Sequence, residues 1–166
     1  MTDTERFRLP EPAQGEIKRL EHNEEYAPFL VLRNGTWCVY LHTDQRYLGR
    51  AYAWRTLHTD MSRLSRMSPD VWQYLQELLQ TYEAALERLW QPDHINYAWL
   101  GNDFVNHRGH GHLHIIPRYA SARRFALRNY VDENWGGNYA PYHSYRPSEM
   151  ERHAICNALR ADIEAH

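Results

Sequence analysis

The residues with the clearest potential for chemistry are three histidines, His110, His112 and His114, each separated from the next by one residue. They run into two isoleucines and then Pro117. This period of two, with β-branched residues at its end, predicts a strand whose ladder the proline stops. Side chains two residues apart share one face of a strand. We therefore expect three imidazoles on one face, where they contribute little to packing and are free to do chemistry.

The spacing limits how these rings act together. The outer Cα atoms lie about 13 Å apart on a flat strand, at about 3.3 Å per residue. Metal–nitrogen bonds are about 2 Å long, so three rings reach one ion only on a strongly bent strand. The arrangement favours a central working residue, His112, with a ring on each side. Two of the rings could still hold a metal with a ligand from elsewhere, such as His107.

The stretch His-x-His-x-His, two apolar residues and Pro-Arg resembles the signature of the histidine triad (HIT) family. The resemblance extends upstream to about Tyr26. Its other parts are a glycine-led segment at 48–58, a long helix after Ser68 and the segment Leu100-Gly101-Asn102, in the order typical of the family. HIT proteins hydrolyse or transfer nucleotides at the α-phosphate. The resemblance therefore implies an enzyme, a hydrolase or transferase acting on nucleoside phosphoramidates or dinucleoside polyphosphates.

The resemblance also implies roles for the three histidines. His112 would attack phosphorus and form a nucleotidyl-histidine, while His110 and His114 would orient it and contact phosphate oxygens. An imidazole suits this role, since its unperturbed pKa of about 6.5 leaves much of it neutral at physiological pH. A covalent intermediate splits one displacement into two easier ones. We expect no cofactor and no catalytic metal, and a backbone carbonyl near Gly111 or His110 should hold the second ring nitrogen.

Two positions depart from the family pattern. Glutamine usually stands four residues before the first triad histidine and touches the phosphate and the leaving group, whereas this chain has Asn106 there, followed by His107. Arg50 stands where many members carry a histidine after the central glycine. Both a phosphate contact and a surface salt bridge are open for Arg50. These departures bear on the substrate more than on the general chemistry.

Other candidate binding residues lie in predicted loops or at strand ends. Asn102 and Asp44 bound the expected pocket and could bind ribose hydroxyls, with a plain turn role as the alternative for Asp44. Arg118 ends the triad strand, where a phosphate contact and a structural ion pair are both open. Trp37 and Tyr40 could cover the base, although aromatic residues in a hairpin more often belong to the core.

The preceding chain supplies strands that can pair with the triad strand. Asn34-Gly35 between two apolar runs is a strong hairpin signal. A third strand is expected at 51–54 and a fourth at 96–101, just before the loop that leads to the histidines. We therefore expect an antiparallel sheet in which the triad strand comes after the other strands in chain order.

Two helices are predicted around these strands. Ser68 as N-cap and Pro69 at the first helical position open a long helix whose apolar residues recur every three or four positions. Ser148 and Glu151 form a capping box that opens a C-terminal helix ending near residue 164. The fold class is therefore α+β, an antiparallel sheet with a long helix packed across it and a C-terminal helix.

Composition limits the possible partners and the compartment. The chain has 166 residues, which predicts a loose arm at 1–15 and a single domain at 16–166. Its formal net charge of −2 gives no general attraction to a nucleic acid polymer or a membrane. No apolar run has the length of a membrane span, and the start is too charged for a secretory signal. Cys38 and Cys156 read as free thiols, so we expect a cytoplasmic protein.

Three functions follow from these patterns. The expected one is a HIT-like hydrolase or transferase, because a third histidine rather than a glutamine ends the triad, as in the hydrolase branches of the family. The alternatives are a non-catalytic nucleotide-binding or protein-interaction module on the same scaffold, and a His-ligated metal protein. Many HIT proteins pair through the sheet and helix, so the resemblance also implies a homodimer with a nucleotide as its small-molecule substrate.

Overall fold

The computed structural model describes residues 26–56, 63–104, 110–139 and 145–166. In chain order the elements are a 3-10 helix at Ala27–Phe29, β1 at Leu30–Arg33, β2 at Trp37–Leu41, β3 at Ala51–Arg55, a 3-10 helix at Leu64–Arg66, α1 at Pro69–Trp90, β4 at His94–Ala98, β5 at His112–Arg118, β6 at Arg123–Phe125, β7 at Arg128–Tyr130 and α2 at Glu149–Ala165. The first five strands form one antiparallel sheet in the order β1-β2-β3-β5-β4, and β6 and β7 form a separate ribbon.

The two faces of the main sheet bury different kinds of side chain. Alternate residues such as Val39, Ala53 and Ile115 join the main hydrophobic core together with residues of α1 and α2. The intervening residues, among them Tyr40 and Trp54, belong to a smaller cluster on the opposite face. Histidines of β5 alternate with the core residues Leu113 and Ile115, and so share the face of the smaller cluster. The expected α+β fold, with its long helix and C-terminal helix, is confirmed.

The hairpin predicted at Asn34-Gly35 is present. The Asn34 side-chain oxygen accepts hydrogen bonds from the backbone N–H groups of Thr36 and Trp37, at 3.0 and 2.8 Å. These bonds close the turn between β1 and β2. Trp37 then lies in the main core and donates its ring N–H to the carbonyl of Val71 in α1, which is the core role that the sequence left open for it.

Helix α1 begins at Pro69, as predicted, and its buried stripe packs on the sheet. Ser68 occupies the N-cap position, but its side chain makes no capping hydrogen bond. The helix ends at Trp90, because Gln91 adopts a left-handed conformation with φ of 49°. Its backbone N–H then bonds to the carbonyl of Leu86, a common way to satisfy the last carbonyls of a helix.

Helix α2 confirms the predicted capping box. Glu151 donates its backbone N–H to the Ser148 hydroxyl at 3.2 Å, and the Ser148 N–H donates to the Glu151 carboxylate at 2.8 Å. Arg160 ties this helix to the start of the sheet through the carbonyls of Pro28 and Leu30. The helix thereby covers the β1 side of the core.

Two strand boundaries differ from those predicted. The strand expected at 96–101 is β4, which begins earlier than predicted and also ends earlier. It ends before the turn in which the Asp103 N–H bonds to the carbonyl of Leu100. Pro117 does not end the triad strand. The ladder with β3 stops at Ile115, which pairs with Ala51 at the start of β3, while pairing with β4 continues through Pro117 to Arg118. A proline is tolerated where one side of a strand has no ladder to complete.

Several other expectations concern composition and the N-terminus. Cys38 and Cys156 are buried free thiols, as expected. Neither helix in the described ranges is both long and apolar enough to cross a membrane. The arm expected at 1–15 lies outside the described residues.

Candidate active site

Pairing between β3 and β5 brings the triad face together. Trp54 lies opposite His112, and Tyr52 lies opposite His114, in antiparallel register. The three histidines His110, His112 and His114 are 0%, 0% and 5% exposed. Aromatic rings of the neighbouring strand therefore surround the predicted working residues instead of solvent.

A hydrogen bond and several aromatic contacts hold the His112 ring. Its Nδ1 lies 3.2 Å from the carbonyl oxygen of His110. A carbonyl only accepts, so Nδ1 carries a proton, and in the neutral ring Nε2 then has the lone pair. The ring stacks on Trp54, with centroids 4.5 Å apart and planes 17° apart, and its centroid lies 5.2 Å from that of Phe104. The backbone carbonyl expected near Gly111 or His110 is therefore that of His110.

His110 ties the start of the triad to β3. Its Nε2–H donates to the carbonyl oxygen of Arg55, the last residue of that strand. Its ring also packs against Trp54, at 5.2 Å between centroids. These contacts fix the peptide whose carbonyl holds His112, which agrees with an orienting role for His110.

A fourth histidine and a tyrosine, neither predicted from the sequence, adjoin the triad. The Asp44 backbone N–H donates to His42 Nδ1 at 2.8 Å, and His42 Nε2 lies 2.5 Å from the Tyr52 hydroxyl. The Tyr52 ring lies 4.8 Å from that of His114 and 5.5 Å from that of His112. The sequence did contain a signal for His42. It lies two residues after Tyr40 and one residue beyond β2, so an extended chain places both side chains on the same face of the sheet.

Burial keeps this pair neutral. Desolvation, followed by the nearby positive charge of Arg50, holds the pKa of His42 well below its usual value. Desolvation also raises the pKa of Tyr52 far above its usual value. His42 is therefore an uncharged imidazole, and Tyr52 is a protonated phenol.

Asp44 and Arg50 are engaged with the protein itself. The Asp44 carboxylate accepts from the backbone N–H groups of Arg46 and Tyr145, at 2.9 and 3.0 Å, and pairs with Arg50 at 3.4 Å. The Arg50 guanidinium also lies over the Tyr139 ring, 5.6 Å from its centroid. These contacts match the turn role left open for Asp44 and the salt bridge left open for Arg50, although the pair is buried rather than on the surface.

The loop after β4 contributes a carboxylate that the sequence reading missed. One carboxylate oxygen of Asp103, one ring nitrogen of His112 and one of His114 all lie within 4.8 Å of one another. The neighbouring Asn102 is exposed in the turn. The predicted binding residues Asn106 and His107 lie outside the described residues.

Arg118 has a structural partner. Its guanidinium binds both carboxylate oxygens of Asp132, at 2.6 and 3.2 Å, and donates to the carbonyls of Asn134 and Gly137. Of the two roles left open for Arg118, the structure has the ion pair. The residue thereby anchors the 132–137 loop to the end of β5.

Comparisons with known proteins agree with the sequence resemblance at the level of the fold. No family model matches the chain, and no curated protein matches it. Among solved structures, a histidine triad protein from Sinorhizobium meliloti has a TM-score of 0.65 at 18% identity, covering 87% of this chain and 93% of its own. A hypothetical histidine triad nucleotide-binding protein from Sulfolobus tokodaii has a TM-score of 0.64 at 14% identity, covering 93% and 92%. A zinc-bound histidine triad family protein from Mycobacterium smegmatis has 0.54 at 18% identity, covering 82% and 84%. The chain therefore has the histidine triad fold.

The hydrogen bonds predict opposite tautomers for two neighbouring histidines. In neutral His112 the proton should be on Nδ1, which faces a carbonyl, and in His42 it should be on Nε2, because Nδ1 accepts the Asp44 N–H. Ring ¹⁵N chemical shifts measured at mildly alkaline pH distinguish the two forms, and His42 serves as an internal control. A His112 ring protonated on Nε2 would contradict the site geometry.

Proposed function

We propose that this protein is a nucleotide hydrolase or transferase that acts at an α-phosphate through a nucleotidyl-histidine on His112. The observation that carries the proposal is the hydrogen bond from His112 Nδ1 to the His110 carbonyl. It directs the ring so that Nε2 is the nitrogen with a lone pair, which is what a nucleophilic histidine needs. The histidine triad fold supports the substrate class.

In the first step, Nε2 of His112 attacks phosphorus and the bond to the leaving group breaks. The leaving group departs with the electron pair of that bond and takes up a proton from solvent. The imidazole gains positive charge as the P–N bond forms, and two contacts stabilise it. The His110 carbonyl accepts the Nδ1–H, and the stacked face of Trp54 offers a cation–π contact worth about 2 kcal/mol when desolvated.

In the second step, water or another acceptor attacks the same phosphorus and loses its proton to solvent. The P–N bond breaks, and its electron pair returns to His112 Nε2. The positive charge of the imidazole makes it a good leaving group, so the P–N bond breaks readily. We propose that His110 and His114 flank the reacting phosphate, and that Asn102, Asn106 and His107 bind the substrate. The buried free thiols fit a reducing compartment such as the cytoplasm.

A metal-binding function is the second candidate, favoured by one observation. Asp103, His112 and His114 offer one carboxylate and two imidazoles within 4.8 Å of one another, a donor set suited to a divalent transition metal. The relative from Mycobacterium smegmatis is described as zinc-bound. In this chain such an ion would use a nitrogen of His112, so the metal site and the nucleophile compete for the same ring.

We also propose that the protein forms a homodimer through α1 and the edge strand β4. Trp72 on α1 and Tyr97 on β4 are each 42% exposed, and Tyr97 contacts Glu83 of α1, so the two elements form one surface. An edge strand offers unpaired backbone groups to a second copy. Light scattering should give about twice 19.9 kDa, and Trp72→Glu should shift the mass toward one chain. Leu127→Glu, at a residue 96% exposed on another surface, should not.

Replacing the nucleophile should abolish turnover and preserve the fold. We expect His112→Ala to lower the turnover of a fluorogenic nucleoside phosphoramidate by about 10⁴-fold or more, because no other group forms the intermediate. Its affinity for a nucleoside monophosphate should change little, whereas its melting temperature should fall, because the variant loses a buried ring that stacks on Trp54. His166→Ala, at an exposed position at the end of the chain, is the matched control. Wild-type turnover in pure His112→Ala protein would overturn the proposal, and nucleotide binding without turnover in the wild type would favour a binding module.

Removing metal distinguishes the nucleotide hydrolase or transferase from the metal-binding protein. We expect protein dialysed against a chelator to keep its full turnover, since His112 cannot attack phosphorus while its nitrogen binds an ion. Elemental analysis before and after dialysis checks that any metal was removed. The metal protein would be favoured instead if dialysis abolished activity and one equivalent of zinc restored it. Zinc should then fail to restore activity in Asp103→Asn.

A further inference from the structure

We infer that Tyr52 is an additional hydrogen-bond donor of this site, and that its hydroxyl, held by His42, binds a phosphate oxygen of the nucleotide. The inference rests on the proposed function and extends it to two residues that the triad motif does not include. His42 is the positioning residue of the pair, and Tyr52 is the group that contacts the substrate.

The position of Tyr52 follows from the sheet. It lies opposite His114 across β3 and β5, and its ring is within 5.5 Å of the rings of both His114 and His112, measured between centroids. A phosphate bound at His112 Nε2 and flanked by His114 would therefore lie on the face of the sheet that also carries Tyr52. Tyr52 is also only partly buried, unlike the three histidines.

The direction of the Tyr52 proton follows from the hydrogen bonds of His42. Because His42 Nδ1 accepts the Asp44 N–H, its ring proton is on Nε2 and is donated to the Tyr52 oxygen. His42 then has no acceptor left, and Tyr52 must direct its own O–H elsewhere. Within the part of the chain that the structure describes, no other hydrogen bond engages the Tyr52 oxygen. The oxygen is thus held in place by His42, and its hydrogen can be donated to a ligand.

A neutral phenol suits binding of a phosphate oxygen better than proton transfer. The hydroxyl keeps its proton at physiological pH, since even an unperturbed phenol has a pKa of about 10. It can therefore donate to the charge that spreads over the phosphate oxygens in the transition state, without giving up the proton. An orienting hydrogen bond that is already formed means that little reorganisation is needed when the substrate binds.

Turnover of two substrates tests this role. We expect Tyr52→Phe, which keeps the ring and removes the hydroxyl, to lower kcat by about 100-fold, the typical effect of removing one such donor. The loss should be equal for a nucleoside phosphoramidate of an alkylamine and for a nucleoside p-nitrophenyl phosphate, because the donor acts on the phosphate in both. An unchanged kcat overturns the inference. A loss confined to the alkylamine substrate also overturns it, because it would assign Tyr52 to protonation of the leaving group.

A double-mutant cycle tests the part played by His42. His42→Ala should lower kcat by less than Tyr52→Phe does, and the double variant should be no slower than Tyr52→Phe, because His42 acts only through the hydroxyl. Additive losses in the double variant would contradict the pairing.

Binding measurements separate this inference from the proposed function. AMP and adenosine differ only in the phosphate, so calorimetry with both on the His112→Ala background should show about tenfold weaker binding of AMP after Tyr52→Phe and no change for adenosine. Equal losses for the two ligands, or none, would overturn the phosphate contact even if the enzyme turns over. Tyr119→Phe is the structural control, since it removes a buried hydroxyl that bonds to the Leu48 carbonyl at 2.7 Å in the main core. It should lower the melting temperature and leave kcat unchanged.

Discussion

The pairing register between β3 and β5 is the constraint on which the rest of this site depends. It sets Trp54 opposite His112 and Tyr52 opposite His114. Because side chains alternate along a strand, a slip of one residue would turn the histidines into the main core. The opposite face prevents this, since Ala53 and other core residues of both strands are buried beneath the helices. The hydrophobic core therefore fixes the chemical face without contributing any atom to it.

Hydrogen bonds and aromatic contacts then convert that register into a defined arrangement of rings. A buried imidazole without a hydrogen-bond partner costs about 1–3 kcal/mol, and here His110 and His112 are satisfied by backbone carbonyls. Trp54 restricts the His112 ring further by stacking on it. Preorganisation of this kind would lower the cost of reaching the transition state of the proposed reaction, because the His112 ring would need no rearrangement.

Local patterns in the sequence were sufficient to predict much of the fold. The hairpin at Asn34, the start of α1 and the capping box at Ser148 each depend on residues within about four positions. The face of the triad followed from its period of two. Boundaries such as that of β4 were less well predicted, because they depend on turns that form where pairing ends.

Contacts between distant parts of the chain could not be predicted in the same way. The sequence offered two roles each for Asp44 and Arg118, and only the fold shows that their partners are Arg50 and Asp132. Tyr52 looked like one aromatic residue among the chain's 12 tyrosines. Its relation to His42 and to the triad depends on cross-strand register, which a single sequence does not contain.

The central claim is that phosphorus is displaced twice, first by His112 and then by the acceptor. A substrate that is chiral at the α-phosphorus tests this most directly, because each in-line displacement inverts the configuration. Two displacements give a product in which the original configuration is retained, and the structure leads us to predict retention. Inversion would mean that water attacks the phosphorus directly, with His112 acting at most as a general base. That result would contradict a nucleotidyl-histidine intermediate.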